Sequence, residues 1–301
     1  MTEAGVGAGS VPAPGEPGWQ PKIVALDIDG TLLAWVDGQT HDYETIRPAV
    51  YDAVHRARAA GAHVVLSSGR SPHGMTTIAD LLDLPLEASP EDPTPDYDDR
   101  LWIVAANGSV VFRYPPQEVV HEETFDAAPA VRAVLAEHPH ALVAAEERSI
   151  GGYLVNRLFP IGELSGVQKV TPVHEIIGQP VNRVVVRDPE ATADDFVELA
   201  KRLGLDSTEY VVGWSAWMDL APAGVNKASG LQHVCDRLGL TAADVLAIGD
   251  GRNDKEMLVW AGRGVAMGQA IDEVKDVADA VTLSVVQDGV AVELDRWFGE
   301  G

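Results

Sequence analysis

From Lys22 onward, short apolar runs alternate with stretches whose apolar residues recur at helical spacing; the alternation stops in mid-chain and resumes after Asn226. This constrains the fold strongly. Parallel strands need a crossover between them, normally a helix, so a β-then-α rhythm leads to a parallel sheet covered on both faces. Ile23 to Ile28 is apolar throughout except for Asp27, as expected of a strand buried on both sides. Thr45 to Ala60 has helical periodicity and stops at Gly61, a C-capping residue. His63 to Leu66, Met75 to Leu84 and Leu101 to Ala106 read as strand, helix and strand. After Asn226 come a helix to Leu238, a strand Val245 to Ile248, a helix Asp254 to Ala261 and a strand Val265 to Met267.

Between these halves the pattern changes. Ser109 to Arg113 and Glu118 to His121 form an expected hairpin around Pro115-Pro116. Ala130 to Glu137 and Ala193 to Leu203 read as helices, and Leu142 to Glu146, Val181 to Arg187, Tyr210 to Trp214 and Trp217 to Leu220 as strands. Such a mixture predicts an antiparallel α+β unit. The fold class expected is therefore α/β, a Rossmann-like parallel-sheet core with an inserted α+β domain. The expected boundaries are a flexible tail over 1–20, a core over 21–114 and 220–301, and an insertion over 115–219. Leu86 to Asp99, rich in Pro, Asp and Glu, is expected to be a surface loop.

The 301 residues carry 46 acidic and 22 basic side chains, a formal net charge of −24. That field repels nucleic acid and anionic membranes, so neither is expected as a partner. It also repels a phosphorylated substrate unless a metal ion or local cations reverse the sign at the site. A single cysteine, Cys235, excludes a disulfide framework and suits a reducing compartment. No run approaches the roughly 20 apolar residues of a membrane span, and the first residues lack the basic and apolar regions of a secretory signal. A cytoplasmic location is expected.

Four segments at expected strand ends or helix starts carry candidate chemistry, which is where open α/β sheets place their sites. Asp27-Ile28-Asp29-Gly30-Thr31 follows a buried strand, and a carboxylate there is costly to desolvate without a cation or donors. Gly30 permits a sharp turn whose N–H groups can face an anion. Ser68-Gly69-Arg70 offers a hydroxyl for a phosphoryl oxygen, or an N-cap. Lys227 starts a helix, the end at which the dipole disfavours a cation, so a bound anion would explain its place. Gly249-Asp250-Gly251-Arg252-Asn253-Asp254 supplies two acids four residues apart, oxygen ligands suited to Mg²⁺.

In this order the segments resemble the haloacid dehalogenase superfamily of phosphatases, specifically the Cof-like group with a type C2B cap (subclass IIB). The resemblance runs from Lys22 to the last helix, with Met257-Leu258 completing the last motif and Asn107-Gly108 matching the pair after the third strand. Between Asp27 and Ser68 lie 40 residues, and between Ser68 and Lys227 lie 158, so the second interval holds the cap. The resemblance implies a phosphatase using Mg²⁺ and a small phosphorylated substrate of sugar-phosphate type. By it, Asp27 is the nucleophile that becomes an aspartyl-phosphate, and Asp29 is the acid and base. Asp27, the Asp29 main-chain carbonyl and Asp250 hold the metal, with Asp254 supporting that shell or positioning Lys227. Ser68, Gly69, Lys227, Asn253 and the Gly30 and Thr31 N–H groups bind phosphate.

Two other readings stay open: a phosphomutase or phosphotransferase using the same aspartyl-phosphate, and a non-catalytic binding protein. Departures from the family pattern are few. Ser68 stands where Thr is frequent, and Ala228 follows Lys227 where Gly is usual. His138-Pro139-His140 lacks the companions of a zinc site. His63 and His233 are expected to be core or surface residues, Trp214 and Trp217 to pack within the cap, with substrate contact as the alternative, and Cys235 to be an inert buried thiol. Oligomeric state has no signature in the sequence.

Overall fold

The computed structural model describes residues 13–16, 18–34, 45–84, 100–147, 151–161, 163–164, 166–192, 194–195, 198–199, 202, 208–212 and 217–299. The Leu86–Asp99 loop, Trp214 and much of the Ala193–Leu203 helix expected from the sequence lie outside them.

Two sheets organise the molecule. The larger has eight strands in the order β14-β13-β12-β1-β2-β3-β4-β5. Its members are β1 (Ile23–Leu26), β2 (His63–Ser67), β3 (Leu101–Ala105), β4 (Val110–Tyr114), β5 (Glu118–Glu122), β12 (Val245–Gly249), β13 (Arg263–Ala266) and β14 (Ala280–Val281). β1 lies between β12 and β2 in parallel register, Ala25 facing Ala247 on one side and Val65 on the other. Only β4 runs against the other strands, antiparallel to both β3 and β5, and the β4–β5 hairpin extends the sheet beyond β3.

Alternation along these strands feeds two separate cores. Val24, Leu26, Val64, Leu66, Ile103, Leu246 and Ile248 face one side. There they pack with α1 (Pro48–Ala59), α2 (Pro72–Leu82) and α8 (Gly289–Phe298). Ile23, Ala25, Val65, Trp102, Val104, Val245 and Ala247 face the other side, against α5 (Lys227–Leu238), α6 (Lys255–Trp260) and α7 (Asp272–Lys275). With both faces covered, the strand residues are almost wholly buried, which is why they read as continuous apolar runs.

The second sheet has six strands, β10-β11-β9-β6-β7-β8. They are β6 (Leu142–Glu147), β7 (Gly152–Val155), β8 (Val167–Val170), β9 (Val184–Arg187), β10 (Thr208–Val212) and β11 (Trp217–Pro222). All pairs are antiparallel except β7 with β8. α3 (Ala128–Glu137) and α4 (Val173–Ile176) pack on one face with Val143, Val184, Val186, Met218 and Leu220. Parallel core and inserted sheet together give the α/β architecture with a C2B-type insertion.

Three features differ from the sequence expectation. Trp19 belongs to the folded core rather than to a loose tail. Its indole is 7% exposed, meets Trp297 edge-on at 5.0 Å and donates to the Ala243 carbonyl at 3.1 Å. The hairpin strand β5 pairs with the core sheet, whereas the expected insertion begins at residue 115, because its ladder partner β4 is itself laddered to β3. At the far boundary, β11 carries the second sheet through Pro222, past residue 219. β7, β8 and α4 had no clear periodicity to find. They are four residues long, and Val167 and Val170 point outward at 57% and 59% exposure.

Candidate active site

The C-terminal ends of β1, β2, β3 and β12 and the start of α5 converge on one spot. Asp27 directly follows β1, and its N–H completes the ladder to the Ile248 carbonyl at 3.0 Å. The carboxylate is thus held at the rim of the sheet. Lys227 is the first residue of α5, set there by a capping box in which Asn226 and Ser229 satisfy each other's N–H. Its side chain is fully buried, and Nζ donates to Asp27 Oδ1 at 2.6 Å and to Asp254 Oδ1 at 2.6 Å. The other oxygen of Asp254 accepts the Asp250 and Gly251 N–H groups at 2.9 and 2.8 Å. Asp254 therefore spends both oxygens on the protein, fixing Lys227 with one and the loop with the other.

Asp250 is held differently. Its carboxylate accepts from Gln269 Nε2 at 3.2 Å, and Gln269 also donates to the Gly30 carbonyl at 2.6 Å. Gln269 in turn accepts the Val285 N–H at 2.9 Å, so one amide ties the loops after β1 and β12 together. Gly30 has φ +86°, and a Cβ there would lie 2.2 Å from Asp250 Oδ2. Only glycine allows the two acidic loops to approach so closely.

One oxygen from each of Asp27, Asp250 and Asp254 lies within 4.8 Å of the others. Like charges at this spacing, largely out of water, favour protonation. Burial, then Asp254, pushes the Asp27 carboxyl well above its usual range despite Lys227. The same two causes push Asp250 up to about 7. For Lys227 burial acts downward, but Asp254 and Asp27 outweigh it and hold the ammonium charged. Three carboxylates facing one ammonium leave an excess of negative charge that a divalent cation would balance. The donors are carboxylate oxygens, which suit a hard ion such as Mg²⁺.

Asp29 is part-exposed, and Arg70 takes both its oxygens, through Nε at 2.9 Å and a terminal nitrogen at 2.6 Å. Ser68 is buried at the end of β2, and its Oγ accepts the Arg70 N–H at 3.2 Å. The Gly30 and Thr31 N–H groups, expected to face an anion, close their own turn instead, donating to the carbonyls of Leu33 and Ile28 at 2.9 and 3.2 Å. The Thr31 hydroxyl is buried without a protein partner. Asn253 donates to Asn107 Oδ1 at 3.0 Å, and a Cβ on Gly69 would stand 3.1 Å from that same oxygen. Asn253 and Gly69 thus frame the Asn107 loop. Gly230 makes room there: a Cβ on it would lie 2.5 Å from Val104 Cγ1 and 3.0 Å from Gly108 Cα.

From the inserted sheet, Asp219 reaches the same loop and accepts from Asn107 Nδ2 at 3.4 Å. It also accepts from Trp217 Nε1 at 3.0 Å and takes Arg183 on both oxygens at 2.8 and 2.9 Å. Sequence reasoning did not single out Gln269, Arg183 or Asp219. Each acts through a partner far along the chain, and no local spacing marks it.

Comparison with known proteins agrees with this geometry. The family model for haloacid dehalogenase-like hydrolases matches residues 24–294. The chain is 31% identical to a phosphoglycolate phosphatase of Natronomonas pharaonis, over 91% of this chain and 96% of that one. It is 29% identical to the 5-amino-6-(5-phospho-D-ribitylamino)uracil phosphatase YitU of Bacillus subtilis, over 93% and 98%. The fold matches that of BT1666 from Bacteroides thetaiotaomicron (TM-score 0.72, 25% identity, 97% and 99% covered). It also matches the subclass IIB sugar phosphatase BT4131 (TM-score 0.72, 21% identity, 92% and 98% covered). The chain belongs to the haloacid dehalogenase-like hydrolase family. It is a phosphatase, a phosphoric monoester hydrolase acting on small phosphorylated metabolites, and the non-catalytic reading falls away. Among the described residues no helix is long and apolar enough to cross a membrane.

Proposed function

We propose that the chain hydrolyses a sugar-phosphate-type monoester with Mg²⁺, using the core as catalyst and the inserted domain as cap. The observation that carries this is the buried Asp27–Lys227–Asp254 chain with Asp250 beside it. An Asp27 oxygen attacks phosphorus, the bond to the leaving oxygen breaks, and an aspartyl-phosphate forms. Asp29 hands its proton to the leaving oxygen, then takes one from the water that attacks the aspartyl-phosphate and frees inorganic phosphate. For this, the Arg70 pair must open when substrate enters.

Lys227, with Ser68, meets the phosphoryl oxygens. Asp254 positions Lys227 and, with both its oxygens engaged by the protein, would support the metal's ligands rather than supply one. Gly69 and Asn253 hold the Asn107 loop at the edge of the phosphate site. Asp27, Asp250 and the Asp29 carbonyl would hold Mg²⁺, which screens the carboxylates from the incoming phosphate and stabilises transition-state charge.

A polyhydroxylated leaving group suits a site whose edge carries polar side chains, among them Asn107, which the Arg183–Asp219 pair holds from the cap side. It also agrees with the ribityl phosphate and sugar phosphates named for the relatives above. The test is phosphate release from a panel of sugar phosphates and other metabolite monoesters, with Mg²⁺ and with EDTA, for wild type and Asp27→Asn. We expect metal-dependent release that falls roughly 10⁴-fold in Asp27→Asn. Release only when a sugar acceptor is added would replace hydrolysis with phosphoryl transfer.

A further inference from the structure

We propose that His121, Glu123 and His233 form a second metal site on the core, one that takes a borderline divalent ion of the zinc class and keeps a coordination position open to water. The three residues come from the end of β5, the residue after it and the middle of α5, so they are 112 positions apart at the extremes yet adjacent in space. One ligand atom from each lies within 4.8 Å of the others. His121 Nε2 and Glu123 Oε1 are 3.0 Å apart, and the two imidazole rings stack with centroids at 3.6 Å and planes 24° apart. Ligands at zinc bond lengths in a tetrahedron stand about 3.3 Å from one another, so the His121–Glu123 spacing is already close to that required.

The backbones that carry these groups are fixed. The Glu123 N–H donates to the Ser109 carbonyl at 2.8 Å, and the Glu123 carbonyl accepts from Asn182 Nδ2 at 2.9 Å. α5 is pinned at its start by its capping box. Stacked rings aim their in-plane lone pairs side by side, so metal entry requires one imidazole to turn about its last side-chain bond. All three side chains are half-buried, which leaves room for that turn. Asp236, three residues along the helix from His233, adds negative potential on the same face.

Donor chemistry separates this site from the catalytic one. Two imidazoles and one carboxylate select zinc-class ions, whereas the all-oxygen set of Asp27 and Asp250 selects Mg²⁺. His233 also lies almost two turns from Lys227 along α5, about 9 Å of rise. An ion here would tie the strand from which the chain leaves the core to the helix that delivers Lys227.

The test strips the full-length protein with chelator, saturates it with Mg²⁺ and titrates Zn²⁺ against a chromogenic competitor. Wild type is expected to hold one Zn²⁺ equivalent under excess Mg²⁺. His121→Gln and His233→Gln lose that equivalent with unchanged circular dichroism and unchanged Mg²⁺-dependent phosphate release, while Asp250→Asn keeps it. Co²⁺ in place of Zn²⁺ gives the wild type a visible absorption band that His121→Gln lacks, a readout on a half-exposed edge-strand residue should His233→Gln fold poorly. Absence of the equivalent from folded wild type, or its loss in Asp250→Asn with retention in both histidine variants, overturns the proposal.

Discussion

Core and inserted domain each bury a cluster of charge, and the two clusters are built to opposite rules. In the core, Asp27, Asp250 and Asp254 face a single Lys227, so the cluster is negative in excess and complete only with a further cation. In the insertion, Arg183 and Asp219 balance one another, and Trp217 and Asn107 use the remaining capacity of the acid. The first is poised to bind, the second to stay shut. Buried ion pairs contribute little net stability when made and cost much when broken. Removing one partner should therefore destabilise either cluster, but only the core cluster should take the chemistry with it.

Lys227→Met tests the stronger half of this contrast. The variant leaves Asp27 and Asp254 facing each other without the ammonium that separates them. We expect a loss of about 3–5 kcal/mol in urea unfolding, with Mg²⁺-dependent phosphate release at background. Added Mg²⁺ should recover part of the stability, by binding to the native acids, and none of the activity. A variant as stable as wild type would show that the lysine is not what balances the acids.

The contrast also explains what could be read from the sequence. Core acids stand out because β1 and β12 are buried on both faces, and a carboxylate at the end of such a run has no packing reason to be there. Lys227 stands out because it opposes the helix dipole. What escaped were contacts made across the fold. The Asp29–Arg70 pair, the Gln269 bridge and Asn253 on Asn107 span 41, 239 and 146 positions. The Gly30 and Thr31 N–H groups show why a local motif underdetermines a contact: a turn that can face an anion can equally close on its own carbonyls. In the insertion β7 and β8 are only four residues long and β8 is exposed, which leaves their periodicity faint, and at the other end of the chain one indole, Trp19, joins the core through Trp297.

Asp219→Asn tests the weaker half. The amide keeps one acceptor oxygen where Trp217 Nε1 and Asn107 Nδ2 donate to two, and it removes the carboxylate paired with the buried Arg183 guanidinium. We expect about 2 kcal/mol of destabilisation, read from the urea midpoint, with turnover at saturating substrate retained. The double variant Arg183→Met/Asp219→Leu should recover most of that loss, since it removes both charges together. Turnover falling to background in Asp219→Asn while stability holds would place the pair in the chemistry and dissolve the contrast.

The smallest expected effect lies at the outer end of the insertion. Asp188 is buried beyond β9, accepts the Glu190 N–H at 2.9 Å and pairs with His138 Nδ1 at 2.8 Å. Burial acts to raise its carboxyl, and the Glu190 N–H and then His138 more than reverse this, leaving it below the usual carboxylate range. A carboxyl lowered on folding stabilises the native state above its unfolded value near 3.8, and that contribution disappears as pH falls through the folded value. Asp188→Asn should therefore be less stable than wild type by about 1 kcal/mol at pH 7, with the gap closing below about pH 3. The general acid destabilisation of so negative a chain is common to both proteins and cancels in the difference. Urea midpoints at the two pH values decide it: a gap of equal size at both would mean that the contribution of Asp188 does not depend on its charge.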